Sequence, residues 1–479
     1  MPACFIGIDL GASSGRTVLG RLDGDRLTLE ETHRFGNVPV EGAGTLRWDI
    51  DALEAGIREG IARSRAAAGD DEIDGIGIDS WGVDYVLLDE VGGVLQQPFH
   101  YRDRRVDGVM AHVCADVGRE TIFDRTGIQF MPINTLFQLA AEDRSVLDRA
   151  DRVLMIADYF AHRLGGRVVQ EVTLASTSQL MDPRTRTWAT DLAQKINLTA
   201  GILPELVEAG TTLGEFEGIP IIAAAAHDTA AAVVGCPGAG DDWAFLSSGT
   251  WSLLGVELPE PVVTEAVLQA NLSNELGIHD TTRLLKNICG LWPLQECRRE
   301  WSEAGEAHSW EDLAALAAEA EPLRAIVDPD DRRFLAPESM NDAIREYCTA
   351  TKQPPPRNVG ETVRCILEGL ALKCRWVLDL LERVTGRRVT TVHMVGGGVQ
   401  NALLCQLTAD ATGRLVVAGP IEATATGNVL TQAMGRGVIA SMSEARDVIR
   451  RSFELTAYTP HPTPAWSEAY EKLQEIIRE

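Results

Sequence analysis

Apolar residues along this chain gather into short runs separated by small polar turns, and between those runs they recur at helical spacing. Cys4 to Leu10 (CFIGIDL) predicts a buried strand, Gly11 to Gly15 (GASSG) a tight turn, and Arg16 to Leu22 a second strand. Asp23-Gly24-Asp25 is a hairpin signal, and Leu27 to Phe35 alternates as a third strand. Leu53, Ile57 and Ile61 fall on one face of a helix predicted over Asp49 to Ala68, with Asp49 as its cap. Ile73 to Leu88 reads as strand, turn and strand, with Asp79, Trp81, Gly82 and Asp84 at the turn. Farther on, Val363 to Val384 predicts a helix and Val389 to Val395 a strand ending in Gly396-Gly397-Gly398. The next helix is expected to start near Gln400, and Asp410 to Gly427 to hold another strand and an Ala/Thr/Gly turn.

One pattern occurs twice. Ala244 to Val256 (AFLSSGTWSLLGV) repeats the layout of Phe5 to Gly20: apolar run, Ser/Gly turn, apolar run. This suggests two halves of one α/β topology. The glycine-rich, acidic stretch Gly235 to Asp242 is the expected boundary, giving domains 1–242 and 243–479. An opening β-meander excludes a dinucleotide-binding layout, which needs a helix directly after the first glycine turn. No G-x-x-x-x-G-K-[ST] occurs, so a P-loop is excluded as well.

Between the two patterns lies Ile219 to Gly235 (IPIIAAAAHDTAAAVVG), a strand-like run broken by His227, Asp228 and Thr229 before a helix-like run. Asp228 has two readings, a structural N-cap or a catalytic carboxylate at a strand-to-helix turn, where open α/β sheets bind ligands. The small-residue turns GASSGR, SSGTW and VGGGVQN each let backbone N–H groups approach an anion, and together they suit a phosphate chain. Asp9 is a turn carboxylate or an orienter of metal-bound water. Trp81 is core or a sugar-stacking face, and Arg102 to Arg105 a solvated cluster or a ligand loop.

Composition narrows the partners. The chain has 479 residues, 45% of them hydrophobic, and a net charge of −26, which argues against nucleic acid or an anionic membrane as partner. The N-terminus lacks the features of a signal peptide, and no apolar run reaches bilayer length. A cytoplasmic protein without an obligate protein partner is expected. The nine cysteines show no C-x-x-C pair, so zinc is not expected, and Cys348 and Cys365 are expected as free thiols.

Taken in order, IDLGASSGR, IDSWGVDYVLLD, YRDRR, FMPINTLFQL, AAHDTAAAV, LSSGTWSLLG, LLKNICGLW and VGGGVQN resemble the FGGY carbohydrate kinases from about Phe5 to about Pro460. The resemblance implies two actin-like (ribonuclease-H-like) α/β domains with an ATP cleft between them, and Mg²⁺ as cofactor. DSWGVD, YRD and NTLFQL favour the branch acting on L-rhamnulose over those for glycerol, xylulose and gluconate. Phosphorylation of its C1 hydroxyl is therefore implied. Alternatives are a related ketose such as L-fuculose, or a non-kinase actin-like ATPase. Carried over by position, Ala12, Ser13, Ser14, Gly15, Arg16, Thr250, Gln295 and Gly397 would contact ATP. Gly82, His227, Asp228, Thr229 and Asn287 would bind the sugar, Asp228 as general base, with Asp9 reaching the metal through water.

Overall fold

The computed structural model describes residues 2–42, 44–335 and 337–478. Two sheets organise the chain. The first contains β1 (Ala3–Leu10), β2 (Ser14–Asp23), β3 (Arg26–Gly36), β4 (Ile73–Ser80), β5 (Thr212–Phe216) and β6 (Ile219–Ile222), in the order β5-β6-β4-β1-β2-β3. The second contains β7 (Trp243–Ser248), β8 (Trp251–Leu258), β9 (Ser273–Leu276), β10 (Thr282–Cys289), β11 (Thr391–Val395), β12 (Leu415–Ala418) and β13 (Thr456–Tyr458), in the order β9-β10-β8-β7-β11-β12-β13. In each, a central strand (β1, β7) pairs antiparallel with its hairpin partner (β2, β8). On its other side it pairs parallel with a later strand (β4, β11), which in turn pairs parallel with the next (β6, β12). The repeat seen in the sequence is thus a repeat of topology.

The predicted helix is α1 (Ile50–Ala68): Asp49 accepts from the N–H of Ala52, and Leu53, Ile57 and Ile61 are buried. Later helices used below are α2 (Asp228–Val234), α3 (Trp292–Glu303), α4 (Val359–Thr385), α5 (Ala402–Thr412) and α6 (Ala423–Gly435). The Ala/Thr/Gly segment expected to turn is instead the start of α6. Its small residues let it cross α2 at backbone contact: a Cβ on Gly427 would collide with the carbonyl oxygen of Ala231. Phe5, Val18 and Leu22 of the first sheet pack with Ala231 and Val234 of α2 and with Val429 and Leu430 of α6. Each of these buried Phe, Val and Leu side chains contributes about 1.5–3 kcal/mol.

That packing also shows in how the chain divides into compact units. One compact unit comprises Met1–Pro237, Glu257–Leu284 and Ala423–Phe453; the other comprises Gly238–Val256, Leu285–Glu422 and Glu454–Glu479. The chain first changes unit after Pro237, close to the expected boundary at Asp242, but the first unit then reclaims two later segments. One of them is α6, whose apolar face is buried in the first unit's core.

Candidate active site

In the first unit three parallel strands end side by side. The β1–β4 register sets Asp9 beside Asp79 and Leu10 beside Ser80, and Ser80 bridges onward to His227. Ser80 N–H donates to the Ala226 carbonyl at 2.9 Å, and Trp81 N–H to that of Leu10 at 3.1 Å. The row of strand ends therefore carries Asp9, Asp79 and, one residue past His227, Asp228. Burial first, and then the charge of Asp9, pushes the Asp79 carboxyl well above the usual carboxylate range. The antiparallel β1–β2 register places Arg16 opposite Asp9, and its Nε and Nη2 reach Asp9 Oδ2 at 2.8 and 2.6 Å. Asn428 of α6 donates to Asp79 Oδ2 at 2.6 Å.

Asp228 is the first residue of α2, and His227 occupies the N-cap position without a side-chain cap bond. The capping role open to Asp228 in the sequence is therefore not the one it fills. The cause is upstream. Glu171, wholly buried, accepts from the N–H groups of Thr173, Leu174 and Ala226, and His227 N–H reaches Thr173 Oγ1 at 3.3 Å. The backbone thus stays extended through His227. Burial raises the Glu171 carboxyl to about 7. Asp228 Oδ1 accepts from Thr229 Oγ1 at 3.1 Å and lies 3.3 Å from His227 Nε2, while its side chain is 33% exposed. Burial raises its pKa; His227 opposes that shift and Asp9 adds to it.

The loops expected to read the sugar are tied to one buried carboxylate. Asp84 Oδ2 accepts from Trp48 Nε1 (2.6 Å), Trp81 Nε1 (3.0 Å) and Tyr101 N (3.2 Å), and Oδ1 from Gln138 Nε2 (2.8 Å). Burial pushes Asp84 up to about 6, against these donors. Trp81 is buried core, packed on Trp48, so the sugar-stacking option for it falls. Arg105 is not a solvated charge: it is largely buried and donates to the Gln138 carbonyl and Glu142. Gly82 abuts Thr177, whose hydroxyl accepts from Val83 N–H at 3.2 Å.

The 11–15 turn is closed by Gly11 N–H to the Ser14 carbonyl and braced by Asn37, which bonds the carbonyls of Ser13 and Gly11. In the second unit, Thr250 lies in the β7–β8 turn, and its carbonyl accepts from Gly290 and Trp292 N–H at the entry to α3. Gln295, on α3, lines a cavity of about 440 Å³ with Arg298 and Trp310. Gly396 has φ 85°, and a Cβ there would press to 2.9 Å on the Ser248 carbonyl oxygen; one on Gly397 would meet nothing within 4 Å. Asn287 sits on β10. The structure thus brings Asp9, Arg16, His227, Asp228 and Thr229 together in the first unit, and places Thr250, Gln295, Gly397 and Asn287 in the second.

The sequence reading placed Asp79 at its turn without a role in the site, and missed Glu171, Glu275, Arg283, Asn37 and Asn428. Their partners are distant in the chain, and no spacing announces them. For a magnesium ion, Asp9 and Asp79 offer oxygen, the right donor type, and Asp79 Oδ1 has no hydrogen-bond partner. Among the described residues no group of three or more His, Cys, Asp or Glu side chains forms a metal cage. That donor set fits an ion that keeps its waters and is held chiefly by phosphate oxygens.

Comparison with known proteins agrees with this layout. Residues 4–235 match the N-terminal domain, and 244–436 the C-terminal domain, of the FGGY family of carbohydrate kinases. The chain belongs to that family and is a carbohydrate kinase. Its similar relatives include the rhamnulokinases of Bacteroides thetaiotaomicron (42% identical, covering 99% of both chains) and Bacillus subtilis (40%, covering 95% of both). Among solved structures it is similar in fold to gluconate kinase from Lactobacillus acidophilus (TM-score 0.81, 16% identity, 99% of this chain and 97% of that one). Plasmodium falciparum glycerol kinase with ADP is comparable (TM-score 0.80, 16% identity, 100% and 98%). Among the described residues no helix is long and apolar enough to cross a membrane.

Proposed function

We propose that this chain transfers the γ-phosphoryl group of ATP to the C1 hydroxyl of L-rhamnulose, giving L-rhamnulose 1-phosphate and ADP in the cytoplasm. The observation that carries the reading is Asp228: a partly exposed carboxylate at the strand ends, one oxygen accepting from Thr229 and 3.3 Å from His227 Nε2, in a chain 42% identical to a rhamnulokinase. Bound Mg²⁺-ATP supplies the electrophilic phosphorus and offsets charge on its oxygens. Asp228 accepts the C1 hydroxyl proton as the bond to phosphorus forms; it is too weak a base to remove that proton beforehand. Thr229 and His227 orient Asp228. Gly82 and Asn287 complete the sugar site, and the 11–15 turn, Arg16, Thr250, Gln295 and Gly397 hold the nucleotide. Asp9 would help hold the ion, through one of its waters. The test is ADP release with and without ketose. Turnover that depends on L-rhamnulose is expected; ATP hydrolysis at the same rate without any sugar would contradict the reading.

A further inference from the structure

His227 connects Asp228 to two charged side chains hidden from solvent: Arg283 is 0% exposed and Glu275 4%. Arg283 is fixed by the backbone of β9, since Nε and Nη2 both donate to the Leu276 carbonyl, at 3.1 and 3.0 Å. Held there, Nη2 lies 3.2 Å from His227 Nδ1. Glu275 Oε2 is 3.3 Å from Arg283 Nη1 and 3.3 Å from His227 Nδ1, but it has no hydrogen bond of acceptable geometry to either.

A guanidinium only donates. A neutral His227 facing Nη2–H must therefore accept at Nδ1 and carry its proton on Nε2, which lies 3.3 Å from Asp228 Oδ1. The opposite tautomer sets N–H against N–H at Arg283 and turns the Nε2 lone pair on the Asp228 carboxylate. With the Nε2 proton in place, the positive end of that N–H faces Oδ1 from 3.3 Å, and Thr229 donates to the same oxygen. Among the described residues no hydrogen bond engages Oδ2, which leaves that oxygen for the acceptor hydroxyl.

We propose that Arg283 is a positioning residue that fixes the Nε2–H tautomer of His227, and that Glu275 balances its buried charge, so that Asp228 presents Oδ2 to the substrate. The tautomer is a property of the ligand-free protein; its catalytic value rests on the reading of Asp228 as the base. The test is ¹H–¹⁵N correlation spectroscopy of ¹⁵N-histidine-labelled protein at neutral pH, with His227 assigned by its loss in His227→Gln. The expected wild-type spectrum has a protonated Nε2 and an unprotonated Nδ1; a protonated Nδ1 overturns the proposal whatever the substrate proves to be. Arg283→Met should move the proton to Nδ1, facing Glu275. It should also lower kcat about 10- to 100-fold, the cost of a misplaced reacting group, with KM for ATP unchanged. Arg283→Lys, which still donates, should restore the Nε2–H tautomer and most of kcat. An Arg283→Met protein that keeps the wild-type tautomer overturns the proposal, and if that variant fails to fold, the wild-type spectrum alone decides.

Discussion

β1 and β7 are the same strand in two copies of one topology, yet they end in opposite chemistry. β1 and its parallel neighbours deliver Asp9, Asp79 and Asp228 to their ends, with Arg16 answering one of the three. β7 and β11 deliver Ser248, Gly249 and Thr250 and the triple glycine 396–398, with no carboxylate among them. The repeated sheet supplies a place, the C-terminal edge of parallel strands, and the residues there decide its use. Acids in the first copy suit a hydroxyl that must lose a proton; small residues in the second suit an anion approached by backbone N–H groups.

Four changes sharpen that contrast. Asp228→Asn should cause the largest loss, a fall in kcat on the order of 10²–10⁴, with ATP binding and the melting temperature nearly unchanged. As a base Asp228 would work only when ionised, and burial together with Asp9 raises its pKa. The acid limb of wild-type kcat/KM should therefore lie above the ordinary aspartate value, activity falling as pH drops through it. Wild-type turnover in this variant would move the chemistry elsewhere.

Asp84→Ala comes next, and its effect is on stability. It strands the Trp48, Trp81, Tyr101 and Gln138 donors at about 1–3 kcal/mol for each one that water cannot reach. Urea unfolding reads this, and a loss below about 1 kcal/mol would mean that the carboxylate does not tie the loops together.

In the second copy, Gly397→Ala should leave stability intact, because its Cβ meets open space, while raising KM for ATP several-fold. Gly396→Ala should instead cost about 1 kcal/mol or more of stability for its left-handed backbone. If Gly397→Ala binds ATP normally, the glycine turn is not a nucleotide contact. The smallest effect belongs to the cysteines. All nine are free thiols in the structure, and activity should be the same with and without reductant. Finding Cys348 and Cys365 bridged, and the bridge needed for turnover, would contradict this.

The scaffold was legible from the sequence because its signals are local. A short apolar run gave β1, the turn and hairpin signals set off β2, alternation gave β3, the 3.6-residue pattern with Asp49 gave α1, and two like apolar–turn–apolar strings gave the duplicated sheet. Much of what holds the site was not. Asp79 with Asn428, Ala226 with Glu171, and His227 with Arg283 are pairings between residues that no periodicity links. α6 was hidden for a different reason: its buried face is mostly Ala, Thr and Gly set against another helix's backbone, so the apolar stripe by which a helix is usually read is slight. Even for Asp228, the residue most conspicuous in the sequence, the cap reading was one position off, because a buried glutamate 57 residues earlier sets where its helix begins.

One competition experiment tests the central claim most directly. L-rhamnulose, L-fuculose, D-xylulose and glycerol at equal concentration are given limiting ATP, and ¹H–³¹P correlation spectra show which hydroxyl carries the phosphate. In that mixture the phosphate divides in proportion to kcat/KM for each acceptor. Most of it should appear on C1 of L-rhamnulose. Phosphate found mainly on another acceptor, or mainly as inorganic phosphate, would contradict the account.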